Sequence, residues 1–171
     1  MYREYFDSPI GRLEIRAVRE GVCYCGLVGQ EEPSHRAHKI VCPPTFERGG
    51  LALDAKRELE QYFRAQRTRF DLPLVFTTGT AFEKRVWSLL TQIPFGSTVT
   101  YGELASRLHN PRAARACGSA VGKNPLLLFV PCHRVVAKNG LGGFSAGGEA
   151  NKRRLLCLEG TTIPKKGENR L

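Results

Sequence analysis

The sequence lacks a hydrophobic run of the roughly 20 residues that a membrane span requires. Residues 1–7 mix charged and aromatic side chains and contain no apolar core of signal-peptide length. We therefore expect an intracellular protein without a membrane partner, cytoplasmic if its source is prokaryotic and nuclear if eukaryotic. At 171 residues with 42% hydrophobic composition, and with no internal repeats, the chain can form one sizeable core or two small ones.

The cysteines and histidines of the first half lack the spacing of a zinc site. Thiols stay reduced in the cytosol and nucleus, so each of the six cysteines is a core residue, a ligand or a nucleophile. We predict neither a metal nor a cofactor. The residues weighed as ligands are Cys23, Cys25, His35, His38 and Cys42.

Acidic residues are scarce in the second half. Residues 1–78 contain 12 Lys and Arg against 11 Asp and Glu, a net charge of +1, whereas residues 79–171 contain 14 against 5, a net charge of +9. This excess favours a polyanion such as nucleic acid as the partner. Solubility alone explains the charge equally well, so other residues must decide.

Hydrophobic patterning predicts a sheet-and-helix domain over residues 1–78. Apolar residues that alternate with polar ones indicate strands with one buried face, and spacing of three and four indicates a surface helix. The predicted elements are an antiparallel meander that includes Leu13, Ile15, Ala17 and residues 22–28, a loop over 29–50, a helix over 51–67 and a strand over 70–76.

Residues 79–171 are predicted to form a mostly helical domain with a helix-turn-helix. Thr80 with Glu83, and Thr100 with Glu103, have the spacing of capping boxes, and Asn110 before Pro111 indicates another helix start. The predicted elements are a core helix that buries Phe82, Val86, Trp87 and Leu90, a short helix from Thr100 to Leu108, a helix over 111–122, a buried strand over 126–130, and a helix over 152–160 capped by Gly160.

The helix over 111–122 has small residues on nearly every side, so its backbone can approach another surface closely. Packing against a neighbouring helix explains this composition, and so does entry into a DNA groove. Arg112 and Arg115, in the half with the larger charge, favour the groove.

Cys132 is the candidate nucleophile. The predicted strand ends at Pro131, which would leave Cys132 where a strand edge emerges. His133 follows directly, but neighbours on an extended chain point to opposite sides, so the pair alone fits a buried structural cysteine as well as a catalytic one. Beyond it, residues 138–140 predict a tight turn and residues 141–148 a glycine-rich flexible loop beside the thiol.

Taken together, these segments resemble the O6-alkylguanine-DNA alkyltransferase family through most of residues 80–160. A weaker likeness at Ser8–Leu13 implies a first domain of ribonuclease-H-like shape, within an α+β fold whose second domain is winged-helix-like. The motifs that carry the resemblance are Phe82–Trp87, Ile93–Gly96, Thr100–Ala105, Arg115–Gly118, Asn124–Pro125, Pro131–Val135, Gly142–Phe144 and Leu155–Gly160.

The resemblance implies a protein that removes an alkyl group from O6-alkylguanine, and from O4-alkylthymine, in duplex DNA and is consumed in doing so. Arg115 would fill the place of a guanine rotated out through the minor groove. We expect a monomer that assembles cooperatively on DNA in some settings. The other residues implied to contact DNA are Tyr101, Arg112, Ala113, Ala114, Gly118, Ser119 and Lys123.

In this family pattern Cys132 accepts the alkyl group, a water links it to His133, and Glu159 orients the imidazole. Tyr101 is implied to donate a proton to the departing base. Further implied roles are recognition of the guanine edge by the carbonyls of Cys132 and Val135, approach to O6 by Ser145, and attachment of the strand to the preceding turn by Asn124.

Three positions depart from the pattern. Phe144 stands where many relatives have tyrosine, Ala146 replaces a glycine of some relatives and narrows the pocket, and Val18 occupies the place of one zinc ligand. The rival functions are a lesion-binding module that makes no transfer, a cysteine hydrolase and a transcription factor. Cys132 opposes the first, the basic helix the second, and the segment Pro131–Arg134 the third.

Overall fold

The computed structural model describes residues 1–29 and 47–161. The chain folds into two compact units, one formed by residues 1–80 with 125–129 and the other by residues 81–124 with 130–171. Division into domains at residue 78 remains our prediction. The loop expected over 29–50, with His35, His38 and Cys42, lies almost entirely outside the described residues.

The first unit contains the predicted meander. Strands β1 (Tyr2–Ser8), β2 (Gly11–Val18) and β3 (Gly21–Leu27) pair antiparallel in sequential order. Leu13, Ile15 and Ala17 are fully buried, as their alternation predicts. Helix α1 (Gly50–Phe63) packs on the sheet and ends four residues earlier than predicted, since Ala65 adopts a left-handed φ of 55° that no helix continues.

The predicted strand over 70–76 is wrong. This segment makes a single bridge to β3, in which the Val22 amide donates to the Pro73 carbonyl (2.9 Å) and the Val75 amide donates to the Val22 carbonyl (2.9 Å). Pro73 has no amide proton with which to extend a ladder.

The predicted strand over 126–130 is also wrong. Leu126 forms one bridge with Cys25, and Leu128 then turns the chain with a φ of 73°. All five residues are buried. The apolar run therefore correctly indicates burial. A hydrophobic pattern alone cannot distinguish a buried irregular segment from a short buried strand.

The second unit is mostly helical. Its core includes Trp87, whose indole N–H donates to the Ala120 carbonyl (2.9 Å) and so joins two helices, whereas Phe82 is only half-buried. The elements are α2 (Ala81–Leu90), β4 (Val99–Thr100), α3 (Tyr101–Arg107), a 3₁₀ turn (Pro111–Ala113), α4 (Ala114–Gly122), a 3₁₀ turn (Cys132–Arg134), β5 (Val135–Val136), which pairs parallel with β4, and α5 (Gly148–Leu158).

The helix ends follow local chemistry. The Thr100–Glu103 capping box is present, whereas the Asn110 side chain makes no cap hydrogen bond and Pro111 begins a 3₁₀ turn instead of the α-helix. Helix α5 begins four residues before the predicted start, and Gly160 follows its end with a φ of 69°, as expected of a glycine cap. Within the described ranges, no helix is both long and apolar enough to cross a membrane.

Candidate active site

Cys132 begins a 3₁₀ turn and does not emerge from a strand edge. Its amide donates to the Val130 carbonyl (2.8 Å), which curls the chain directly after Pro131. The side chain is 3% exposed and lines a cavity of about 220 Å³. The remaining lining residues are Tyr101, Gly118, Val121, Gly122, Gly143, Phe144 and Ser145.

Glu159 organises the buried charges beside the cysteine. Its Oε1 lies 2.7 Å from His133 Nε2, and Arg134 donates through Nη2 to Oε1 and through Nε to Oε2, both at 2.9 Å. The Gly96 amide donates to Oε2 at 3.2 Å. Burial alone would raise the pKa of Glu159, but the hydrogen bonds from His133 and Arg134 outweigh it and hold the pKa at about 2. Glu159 is thus a carboxylate at neutral pH.

His133 is neutral in this arrangement. Burial lowers its pKa and exceeds the opposing effect of the Glu159 hydrogen bond. The neutral ring donates its Nε2 proton to Glu159, which leaves Nδ1 with a lone pair. Nδ1 is buried and has no hydrogen-bond partner in the described part of the chain. His133 therefore carries an acceptor lone pair at Nδ1, while its lowered pKa makes the ring a weaker base than an exposed histidine.

Cys132 is a thiol in the resting protein. Burial raises its pKa, while a hydrogen bond from the Asn124 side chain and the charge of Lys152 act in the opposite direction. Asn124 also donates to the Val130 carbonyl (2.8 Å), which fixes the chain two residues before the cysteine. Because the thiolate is the reactive form, the site needs a base.

Lys152 and Arg134 were not predicted from the sequence as site residues. Lys152 is fully buried and donates to the carbonyls of Val135 (2.6 Å) and Gly143 (3.1 Å), so it ties β5 to the cavity wall. Burial lowers its pKa to about 8. Its helical spacing from Leu155 and Leu156 was the available signal, since this spacing places Lys152 on the buried face of α5.

Tyr101 occupies the first position of α3, where the Thr100 capping box fixes the helix start. Burial raises the pKa of its phenol, which stays protonated and can donate. The loop wall comes very close to this ring: a Cβ on Gly142, whose φ is +70°, would meet Tyr101 and the Ala137 backbone within 3.4 Å. Glycine is needed at this position.

The cavity wall includes only some of the predicted pocket residues. Phe144 and Ser145 line it. Ala146 and Val135 are buried and do not line the cavity; the Ala146 carbonyl accepts from Asn151 (3.1 Å) and the Val135 carbonyl from Lys152.

Helix α4 has one packed face and one exposed face. Cys117, Ala120 and Val121 form a buried face, so the helix does pack. The opposite face, together with the 3₁₀ turn that precedes it, is open: Arg112, Arg115, Ser119 and Lys123 are exposed, and Ala113, Ala114 and Gly118 are partly exposed. Lys123 differs from the arginines because it pairs with Glu83 at 2.7 Å.

No cluster of three or more His, Cys, Asp and Glu suited to a metal occurs within residues 1–29 and 47–161.

These features define a DNA-binding protein with a candidate nucleophile in a cavity behind its helix-turn-helix. Two family models match the chain: the DNA binding domain of 6-O-methylguanine DNA methyltransferase over residues 81–161, and its ribonuclease-like domain over residues 1–76. The chain belongs to the 6-O-methylguanine DNA methyltransferase family. Together with the structural neighbours, the two matches confirm the predicted α+β fold class.

Individual relatives match over nearly their whole length. The methylated-DNA–protein-cysteine methyltransferase of Methanosarcina acetivorans is 40% identical over 94% of this chain and 99% of its own, and that of Haemophilus influenzae is 38% identical over 98% and 90%. Among solved structures, Mycobacterium tuberculosis OGT in complex with DNA has a TM-score of 0.80 at 36% identity, covering 94% of this chain and 93% of its own.

Proposed function

We propose that the protein repairs DNA by transferring an alkyl group from O6 of guanine in duplex DNA to Cys132, once per molecule. The observation that carries this proposal is the buried Cys132 thiol in a cavity beside the His133–Glu159 pair, directly behind the exposed arginines at α4. The family membership supports the same chemistry, because relatives that match over nearly their whole length are methylated-DNA–protein-cysteine methyltransferases.

The exposed face of α4 would bind the minor groove. Small residues let the helix backbone approach the DNA, while Arg112 and Arg115 supply positive charge. A base inside a duplex cannot reach Cys132, so the lesion must rotate into the cavity. Arg115 would occupy the space that the base leaves and offset part of the lost stacking.

The proton path begins at the thiol. The neutral His133 accepts the Cys132 proton at Nδ1 through a bridging water, so the two side chains need not contact each other directly. Glu159 holds the ring in the correct tautomer and stabilises the imidazolium that forms. Arg134 and the Gly96 amide keep the Glu159 carboxylate in place.

The displacement then proceeds in one step. The Cys132 thiolate attacks the alkyl carbon in line, the S–C bond forms, and the C–O6 bond breaks with its electron pair left on guanine. Tyr101 donates a proton to the guanine as negative charge grows on the base. The proton held by His133 ultimately replaces the one that Tyr101 has lost. The product is a thioether that water does not cleave, which explains the single turnover.

The cavity wall would select the substrate. Phe144 offers a ring face and Ser145 a hydroxyl near O6. The carbonyls of Cys132 and Val135 already accept hydrogen bonds from the Val135 amide and from Lys152, so each would read the guanine edge through its second lone pair. O4-alkylthymine presents the same alkyl–oxygen bond on a smaller base, so we expect it to react more slowly.

Intact-mass spectrometry tests the function. After mixing with excess duplex DNA that contains O6-methylguanine, we expect one added methyl group per protein molecule, mapped to Cys132. Lesion-selective binding with no added mass would overturn the proposal and leave a lesion-sensing module as the better interpretation.

Arg115→Ala is expected to slow transfer from duplex DNA by about 100-fold, since an unfilled gap leaves a few kcal/mol of lost stacking without compensation. Transfer from the free base O6-methylguanine should be unchanged, because no duplex has to open. Single-turnover rates on the two substrates measure the difference. Equal slowing on both would assign Arg115 to the chemistry rather than to base rotation.

Lys152→Met is expected to lower the transfer rate at pH 7 by about tenfold, because its charge near the sulfur lowers the thiol pKa. The charge of Lys152 is present below its pKa of about 8 and lost above it. The wild-type rate should therefore show an inflection near pH 8 that the variant lacks. Arg153→Met, at an exposed neighbour paired with Glu149, is the matched control. Identical pH profiles for wild type and Lys152→Met would mean that Lys152 has only a structural role, through its hydrogen bonds to Val135 and Gly143.

A further inference from the structure

A second basic groove lies between α2 and the end of α3, apart from the cavity that holds Cys132. Its volume is about 430 Å³, nearly twice that of the active-site cavity. The lining contains three cations, Lys84, Arg85 and Arg107, and no Asp or Glu. The imidazole ring of His109 also lines the groove.

The three cations have no ion-pair partner among residues 1–29 and 47–161. Several arginines elsewhere on the described surface pair with nearby carboxylates, as Arg12 does with Asp7 and Arg69 with Asp71. Clustered like charges repel each other, and an unpaired cluster is therefore costly unless an anion joins it. Arg107 also complements the C-terminal dipole of α3, but that role does not require Lys84 or Arg85.

The other polar groups of the groove suit a phosphate. The Ser88 hydroxyl and the Gln92 amide line the groove, and both groups are able to donate hydrogen bonds to a phosphodiester oxygen. Leu89 and Leu108 supply an apolar floor that a sugar can cover. A phosphodiester next to a sugar is the repeating chemistry of the DNA backbone.

The groove adjoins the start of the recognition helix. Its end at Leu108 and His109 is separated from Arg112 by only Asn110 and Pro111. In helix-turn-helix proteins the first helix crosses the backbone while the second enters a groove. Here α3 is the first helix and α4 the second.

We propose that this groove binds backbone phosphates of the same duplex that α4 holds, on the strand flanking the lesion. The site is independent of sequence and of damage, and it strengthens binding and sets register without contacting the reacting atoms. It rests on the proposed function only in that the partner is duplex DNA.

The test is the salt dependence of binding to an undamaged duplex. The variant K84Q/R85Q/R107Q removes the three charges while retaining long side chains. The matched control R19Q/R48Q/R64Q removes three exposed charges from the first unit. If each groove cation contacts one phosphate, the slope of log K against log salt becomes shallower by about 2 to 3 in the groove variant, and affinity near 0.1 M salt falls at least about tenfold.

The control is expected to keep the wild-type slope, and both variants should melt like the wild type because the changed residues lie at the surface. A groove variant with an unchanged slope would overturn the proposal. The proposal would also be overturned if the groove variant lost affinity only in complexes that contain two duplexes, because the groove would then bind a second DNA molecule. Methyl transfer from the free base should persist in the groove variant. If the wild type gained no methyl group from damaged duplex DNA, that would reject the proposed function without bearing on the groove.

Discussion

Cys132→Ala is expected to abolish alkyl transfer and to leave duplex binding within about twofold of the wild type. The variant has no sulfur to attack the alkyl carbon, and His133 and Glu159 cannot replace it because neither is a carbon nucleophile in this arrangement. Binding persists because the exposed face of α4 is unchanged. Intact mass after incubation with damaged duplex, and affinity for the same duplex, measure the two quantities separately.

The other cysteines provide the control. Cys157 is exposed, whereas Cys23, Cys25 and Cys117 are buried. Cys157→Ala should therefore accept one methyl group at the wild-type rate, since this thiol does not line the cavity that contains Cys132. A methyl group added to Cys132→Ala at another cysteine would show that the alkyl donor reacts with accessible thiols in general, and the assignment of Cys132 would fail.

Local sequence patterns were sufficient to predict an element where one buried face of a strand or one turn at a helix start decides the structure. The alternation at Leu13, Ile15 and Ala17 predicted β2, and the Thr100–Glu103 spacing predicted the start of α3. Both features depend on residues within one element. The proposal that Cys132 is the nucleophile needed the family motif as well, because a cysteine before a histidine is ambiguous by itself.

The sequence could not show features that depend on distant residues. Leu126–Val130 has the pattern of a buried strand, but Leu128 turns the chain before a ladder can form. The buried Lys152 ammonium donates hydrogen bonds to the carbonyls of Val135 and Gly143, and neither partner is visible from α5 alone. Arg134 is similar, since its carboxylate partner is 25 residues away.

Glu159→Gln is expected to slow transfer by at least about 100-fold and to lower the free energy of unfolding by about 3–5 kcal/mol. The first effect follows because an amide neither fixes the His133 tautomer nor stabilises the imidazolium. The second follows because the buried Arg134 side chain loses its counter-charge. Single-turnover kinetics and urea unfolding measure them.

The pH dependence of stability has a definite sign. The pKa of Glu159 is about 2 in the folded protein, below the ordinary carboxyl value of 4.5. The carboxylate therefore contributes its full stabilisation of the fold at pH values above 4.5. This contribution disappears as the pH falls through the folded pKa. Between about pH 4.5 and 2 the wild type should therefore lose stability more steeply than Glu159→Gln.

A double variant separates the catalytic role of Glu159 from its structural one. In Glu159→Gln with Arg134→Met no unpaired guanidinium is left behind, so we expect much of the lost stability to return. Transfer should remain slow, because His133 still lacks its carboxylate. Recovery of both stability and transfer would mean that Glu159 serves only to neutralise Arg134, and His133 would then act without an orienting partner.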